Sequence, residues 1–116
     1  MQVLFILNDA PYGNERPYNA LRLALALKKV DGTDVRVFFM ADAIGCAKRD
    51  QKTPEGYYNL ERMVRSLASK GCSIGTCGTC MDARGFIDAD LTIGVHRSSM
   101  AELAAWTLEA DRTLVF

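Results

Sequence analysis

The sequence has no surplus of either charge: 14 Lys and Arg stand against 14 Asp and Glu in 116 residues. A balanced chain has no global field to draw it onto nucleic acid or anionic lipid, which sets those partners aside. Long apolar runs are missing as well. The longest, Val3 to Leu7 and Leu23 to Leu27, fall far short of the ~20 residues that a membrane span requires. The opening Met1-Gln2-Val3-Leu4 lacks a basic stretch and reads as a buried strand, not a secretion signal. There is no repeat, no low-complexity tract and no linker, and at about 150 residues per domain the length predicts one domain over residues 1–116. The expected compartment is the cytoplasm, where thiols stay reduced. Cys46, Cys72, Cys77 and Cys80 then call for chemistry or metal before a disulfide framework.

What is present is a regular alternation. Gln2 to Leu7, Val35 to Met40, Cys72 to Thr76, Leu91 to Val95 and Thr113 to Phe116 read as strands. They are apolar on successive residues, as strands covered on both faces are. Between them the spacing predicts helices. The first runs from Glu15 to Lys29, with Pro17 in its opening turn and a wide apolar surface from Leu21 to Leu27. The second runs from Pro54 to Ser69, with Thr53 as N-cap and a stripe of Leu60, Met63, Val64, Leu67 and Ala68, and Lys70-Gly71 ends it. A short third covers Thr79 to Gly85, and a fourth opens at the capping box Ser99-Met100-Ala101-Glu102 and carries Trp106. Strand and helix in alternation predict an α/β fold, a three-layer α/β/α sandwich around a five-stranded, mainly parallel sheet. The one long loop, Ala41 to Thr53, is of a length that is usually functional.

In such sheets ligands bind beyond the carboxyl ends of the strands. The residues expected there are Asn8 to Gly13 with Asp9 and Tyr12, then Asp42 and the loop with Cys46, then Cys77-Gly78-Thr79-Cys80, and then His96 to Ser99. Cys77-Gly78-Thr79-Cys80 is the strongest local signal. At a strand-to-helix turn, free backbone N–H groups and the helix dipole favour a thiolate, the form that attacks sulfur or binds metal. Gly78 lets backbone approach without a Cβ in the way. Blander readings stand beside these. Cys72 reads as a small buried hydrophobe. Cys46 reads as an incidental loop thiol, and His96 as a lone imidazole without a metal partner at helical spacing. Asp9 and Asp42 read as caps for turn amides, Tyr12 as a packing residue and Arg84 as a solvated helix residue.

Taken in order, Asn8-Asp9-Ala10-Pro11-Tyr12-Gly13, Phe38-Phe39-Met40-Ala41-Asp42-Ala43 and Gly71-Cys72-Ser73-Ile74-Gly75-Thr76-Cys77-Gly78-Thr79-Cys80 through Arg84-Gly85 resemble the DsrE/DsrF-like sulfur-relay family. The resemblance implies a flavodoxin-like sandwich that assembles into homotrimers or homohexamers, and a cysteine after the third strand that carries sulfur as a persulfide. In the carriers of that family the active cysteine precedes the glycine of an Arg-Gly pair by eight residues; counted back from Gly85 that is Cys77. Cys80 departs from those carriers and matches small relatives with a Cys-x-x-Cys.

The leading expectation is therefore sulfur transfer, with Cys77 taking a sulfane sulfur from a donor and handing it to an acceptor protein or small thiol. Cys80 would serve as a resolving thiol. Asp9, Tyr12, Asp42, Cys46, Gly78, Thr79 and His96 would shape the binding edge, with no cofactor and no metal. Two other classes stay open: a thiol-disulfide redox protein using Cys77 and Cys80, and a non-turnover subunit that binds a small ligand or metal. One Cys-x-x-Cys is half a zinc site, and no second pair at short spacing accompanies it. The apolar first helix and Trp106 are the expected subunit contacts.

Overall fold

The structure, a computed structural model, describes residues 1–116. Its elements in chain order are β1 (Gln2–Leu7), α1 (Arg16–Lys28), β2 (Asp34–Phe39), a 3-10 helix (Ala41–Ala47), α2 (Leu60–Ser69), β3 (Ser73–Cys77), α3 (Gly78–Ala83), a 3-10 turn (Asp88–Asp90), β4 (Val95–Ser98), α4 (Met100–Glu109) and β5 (Arg112–Val115). The five strands form one sheet in the order β4-β3-β2-β1-β5, and every strand pairing is parallel. The α/β sandwich expected from the alternation is the fold.

The strand order explains how the helices divide. From β1 to β4 the chain steps in one direction across the sheet, so crossovers of one hand place α1 and α2 on the same face. Only the return from β4 to β5 goes the other way, and it puts α4 on the opposite face. The side chains follow the pleat accordingly. Val3, Phe5 and Leu7 of β1 and Val35, Val37 and Phe39 of β2 pack with Ala20, Leu21 and Ala24 of α1 and Leu60, Val64 and Leu67 of α2. Leu4 and Phe38, from the alternate positions, pack with Cys77 and with Leu103 and Trp106 of α4. No helix is long and apolar enough to cross a membrane.

Three expectations need correction. The second helix begins at Leu60 and not at Pro54, and its N-cap is Asn59 and not Thr53, with the Asn59 side chain accepting a hydrogen bond from the Arg62 amide at 3.1 Å. Gly56, at a φ of 85°, turns the chain out of helical geometry, and the preceding residues close a turn in which the Tyr57 amide donates to the Pro54 carbonyl. The fourth strand is Val95–Ser98, not Leu91 to Val95. Gly94 at a φ of 88° sets the turn into it, and Leu91 forms only an isolated bridge with Lys48 while burying its side chain in the larger core. Trp106 is 8% exposed, stacked edge-on against Phe38 and His96. It belongs to the protomer's own core and not to an exposed contact surface.

Candidate functional site

β3 ends on Cys77, which is also the N-cap of α3, with backbone extended at φ −61° and ψ 118°. The Cys77 Sγ lies 3.2 Å from the Thr79 hydroxyl. Cys80, one helical turn on, packs against both cores. Its Sγ accepts a hydrogen bond from the Ala41 amide at 3.2 Å. Ala41 itself is a non-glycine residue at a φ of 51°, a strained conformation of the kind that clusters at functional sites. The turn is closed on its other side by Arg97 of β4. An added Cβ on Gly78 would stand 3.0 Å from the Arg97 Nε and 3.1 Å from the Ser98 carbonyl oxygen, so a side chain here would force Arg97 and the β4 backbone to give by a few tenths of an ångström. Arg97 is held over the turn by Asp82 at 2.8 Å.

The two sulfurs differ in charge preference. Burial raises the Cys77 thiol. The Thr79 hydroxyl, the Cys80 amide and thiol, and the Thr79 amide together outweigh it, so Cys77 ends below an ordinary thiol. Burial and then the Cys77 sulfur push Cys80 up, against the Ala41 amide and Arg84. Of the two, Cys77 is therefore the sulfur that ionises first. Two of the donors to Cys77, the Thr79 and Cys80 amides, are free first-turn N–H groups of α3, so the expected contribution of the helix start is made locally, by hydrogen bonds within that six-residue helix.

The two sulfurs also differ in access, and here the sequence expectation fails. Cys77 is 3% exposed, enclosed by Leu4, Phe38, Leu103 and Trp106, whereas Cys80 is half-buried at the rim. No surface pocket is lined by either residue.

The remaining candidate residues divide. Asp42 is brought to the pair: it accepts from the Arg84 Nε at 3.0 Å, and Arg84 in turn donates to the Cys80 carbonyl at 3.2 Å. Arg84 is thus tied to the turn and is not the free solvated residue its position suggested. Asp9 instead faces Arg16 at 3.6 Å. Tyr12 donates to Gln51 at 2.6 Å, accepts from the Leu60 amide at 3.1 Å and stacks on Tyr58, so it fastens α2 to the loop after β1. Cys46 is fully buried in the larger core, and burial pushes its thiol up to about 12. It is an inert core residue and takes no part in a binding edge. Cys72 is buried as expected, and burial raises it too. His96 lies within β4, not beyond it, and pairs with Glu102, which also accepts from Ser98; it clips β4 to α4.

Reasoning from sequence placed Arg97 at the edge only as part of the run His96 to Ser99 and gave it no role, and it missed the part played by the Ala41 amide and by the apolar wall of Leu4, Phe38, Leu103 and Trp106. Only Arg97 had a local signal, two residues beyond a strand-initiating glycine-valine pair; the others are long-range neighbours with no sequence mark. No group of three or more His, Cys, Asp or Glu side chains is gathered as a metal site.

Comparison with known proteins places the chain. The profile of the DsrE/DsrF-like family matches residues 1–116. Protein YchN of Escherichia coli (strain K12) is 40% identical over 116 residues, spanning 99% of this chain and 98% of that one. MJ0989 of Methanocaldococcus jannaschii, described as an uncharacterized protein, is 33% identical over 116 residues and the full length of both chains. The crystal structure of the E. coli ychN protein superposes with a TM-score of 0.93 over 99% of this chain and 98% of that one. MTH1491 from Methanobacterium thermoautotrophicum, a protein of unknown function, shares the fold at a TM-score of 0.77 and 16% identity, covering 99% of this chain and 98% of that one.

Proposed function

The chain belongs to the DsrE/DsrF-like family, and from that membership and the paired sulfurs we propose that it is a sulfur-relay protein. It accepts sulfane sulfur from a donor protein or small persulfide, holds it on Cys77, and passes it to an acceptor protein or small thiol. The observation that carries the reading is the β3–α3 turn, where the sulfur that ionises more readily than an ordinary thiol lies beside the Thr79 hydroxyl and next to a second thiol that ionises less readily. The Cys77 thiolate attacks the terminal sulfur of a persulfide, the thiol that held that sulfur leaves, and the product is Cys77–S–SH. Leu4, Phe38, Leu103 and Trp106 would shield that persulfide from water and stray thiols.

The adjacency of Cys80 supports a second reading, a dithiol redox protein. Cys80 attacking the inner sulfur of Cys77–S–SH gives the Cys77–Cys80 disulfide and releases the sulfane sulfur as sulfide, two thiol-level sulfurs being oxidised as one sulfane sulfur is reduced.

The working unit in this reading is a homotrimer or homohexamer. Support comes from α4. Its outer side exposes Met100 and Leu108, the latter 89% exposed, along an apolar groove with Ala104 and Thr107. Leu21 and Ala24 of α1, by contrast, are fully buried within the protomer. Sedimentation at micromolar concentration that returned a monomer would contradict the assembly.

The transfer itself is tested by incubating the protein with glutathione persulfide, removing excess donor with thiol, and mapping retained sulfane sulfur by peptide mass spectrometry. One retained sulfur on Cys77, absent from Cys77→Ser, is expected. A wild-type protein that retains none, or a Cys77→Ser variant that retains as much, contradicts the relay.

A further inference from the structure

The sulfur best suited to attack is the less exposed of the pair: Cys77 is 3% exposed, and Cys80 is half-buried. Cys77 is enclosed by the α4-side core, and no pocket leads to it. Cys80 stands at the rim, with its Sγ held by the Ala41 amide at 3.2 Å and its carbonyl held by Arg84 at 3.2 Å. A rim sulfur and an inner sulfur one helical turn apart form a two-step path.

Resting on the relay reading, we infer that Cys80 is the port through which sulfur enters and leaves, and that Cys77 is the inner store to which Cys80 delivers it. In the first step Cys80 attacks the terminal sulfur of a small persulfide R–S–SH. The bond between the two donor sulfurs breaks, a Cys80–sulfur bond forms, and the Cys80 proton ends on the departing thiol, giving Cys80–S–SH and R–SH. In the second step the Cys77 thiolate attacks the terminal sulfur of Cys80–S–SH. A Cys77–sulfur bond forms, the Cys80–sulfur bond breaks, and the electron pair leaves on Cys80. The products are Cys77–S–SH and a Cys80 thiolate, so the sulfane sulfur keeps its oxidation level throughout. The Ala41 N–H is already aimed at the atom that receives the charge. Release runs the same path in reverse, with an acceptor thiolate attacking at Cys80. A Cys77 store reached only through Cys80 is protected from thiols too large to enter the core.

The port is tested with glutathione persulfide under single-turnover conditions, quenched over a time course, and with a second readout that needs no sulfur transfer. In Cys77→Ser the persulfide is expected on Cys80 at early times and is lost on thiol challenge, since no inner store can accept it. In Cys80→Ser the loading of Cys77 is expected to slow by roughly tenfold or more, as a buried thiolate loses its exposed intermediary. Independently, a bulky maleimide is expected to label Cys80 well before Cys77 in the wild-type protein. Cys77 loading at the wild-type rate in Cys80→Ser, or maleimide labelling of Cys77 ahead of Cys80, overturns the port. If the wild-type chain takes up no sulfur, the relay reading falls, and the labelling order still decides whether Cys80 is the outer thiol.

Discussion

The two faces of the sheet are built for different purposes. Under α1 and α2 lies a cluster of 20 buried residues, while under α4 there are 5, one of them Cys77. The thick face carries most of the apolar burial that holds the fold. The thin face, roofed by one ten-residue helix, encloses the Cys77 sulfur that the proposed relay uses. The same residue type behaves oppositely on the two sides. Cys46, in the thick core, is pushed up to about 12 by burial alone, whereas Cys77, in the thin core, meets enough hydrogen-bond donors to end below an ordinary thiol.

The largest effect that can break this comparison is loss of core volume. Phe5→Ala, which empties a fully buried site on the thick face, is expected to cost about 3–5 kcal/mol in denaturant unfolding. Leu103→Ala on the thin face is expected to cost nearer ~2 kcal/mol, because Leu103 is still 8% exposed and its neighbourhood can relax. Leu103→Ala should also speed alkylation of Cys77, and Phe5→Ala, under conditions where it remains folded, should not. Equal costs, or equal reactivity, would erase the division between the faces.

The second effect is alkaline. Cys46 keeps its proton in the folded state up to about 12, while an unfolded thiol ionises near 8.5. The unfolded state therefore binds fewer protons between those values, and stability falls by about 1.4 kcal/mol per pH unit across that window from this group. Cys77 has the opposite sign: its folded midpoint is lowered, so its contribution appears as pH rises through that midpoint and is fully present above the unfolded value. Unfolding of Cys46→Ala measured against pH should show a shallower downward slope, the part left coming from the other raised thiols Cys72 and Cys80, and an unchanged slope would show that Cys46 ionises freely.

A smaller effect tests the helix start that the sequence misplaced. Asn59→Ala removes the cap on Arg62 and the bond to the Gln51 carbonyl, and about 1 kcal/mol of stability should go with them. Thr53→Ala should change little. The smallest concerns the clip between β4 and α4. Burial raises Glu102, but Ser98 and His96 outweigh it and the carboxyl ends below its usual range. Its stabilisation is present above the unfolded value and is lost as pH falls through the folded one. Because the side chain is 37% exposed, Glu102→Gln should cost only a few tenths of a kcal/mol at neutral pH.

Much of the fold was legible because parallel strands buried on both faces leave continuous apolar runs and the helices leave periodic stripes. The misread starts at Pro54 and Leu91 share one cause. A proline in a plausible first turn and an apolar Leu-Thr-Ile run satisfied local rules, while the left-handed glycines Gly56 and Gly94 set the actual boundaries. The Cys77–Cys80 turn was legible because its chemistry is local. The burial of Cys77 was not, since it depends on Leu4, Phe38 and Trp106, which reach it from three separate elements. The amide that meets Cys80 comes from Ala41, across 39 positions of sequence, and no spacing rule points to it.

The central claim is that Cys77 ionises more readily than an ordinary thiol and Cys80 less readily. Ultraviolet thiolate absorbance, followed against pH in a protein whose Cys46 and Cys72 are replaced by serine and compared with its Cys77→Ser and Cys80→Ser derivatives, tests it most directly. The account predicts a first ionisation below the ordinary thiol range that disappears with Cys77, and a second above it that disappears with Cys80. A first ionisation that survives Cys77→Ser, or a Cys77 midpoint at or above that of a free cysteine, contradicts it.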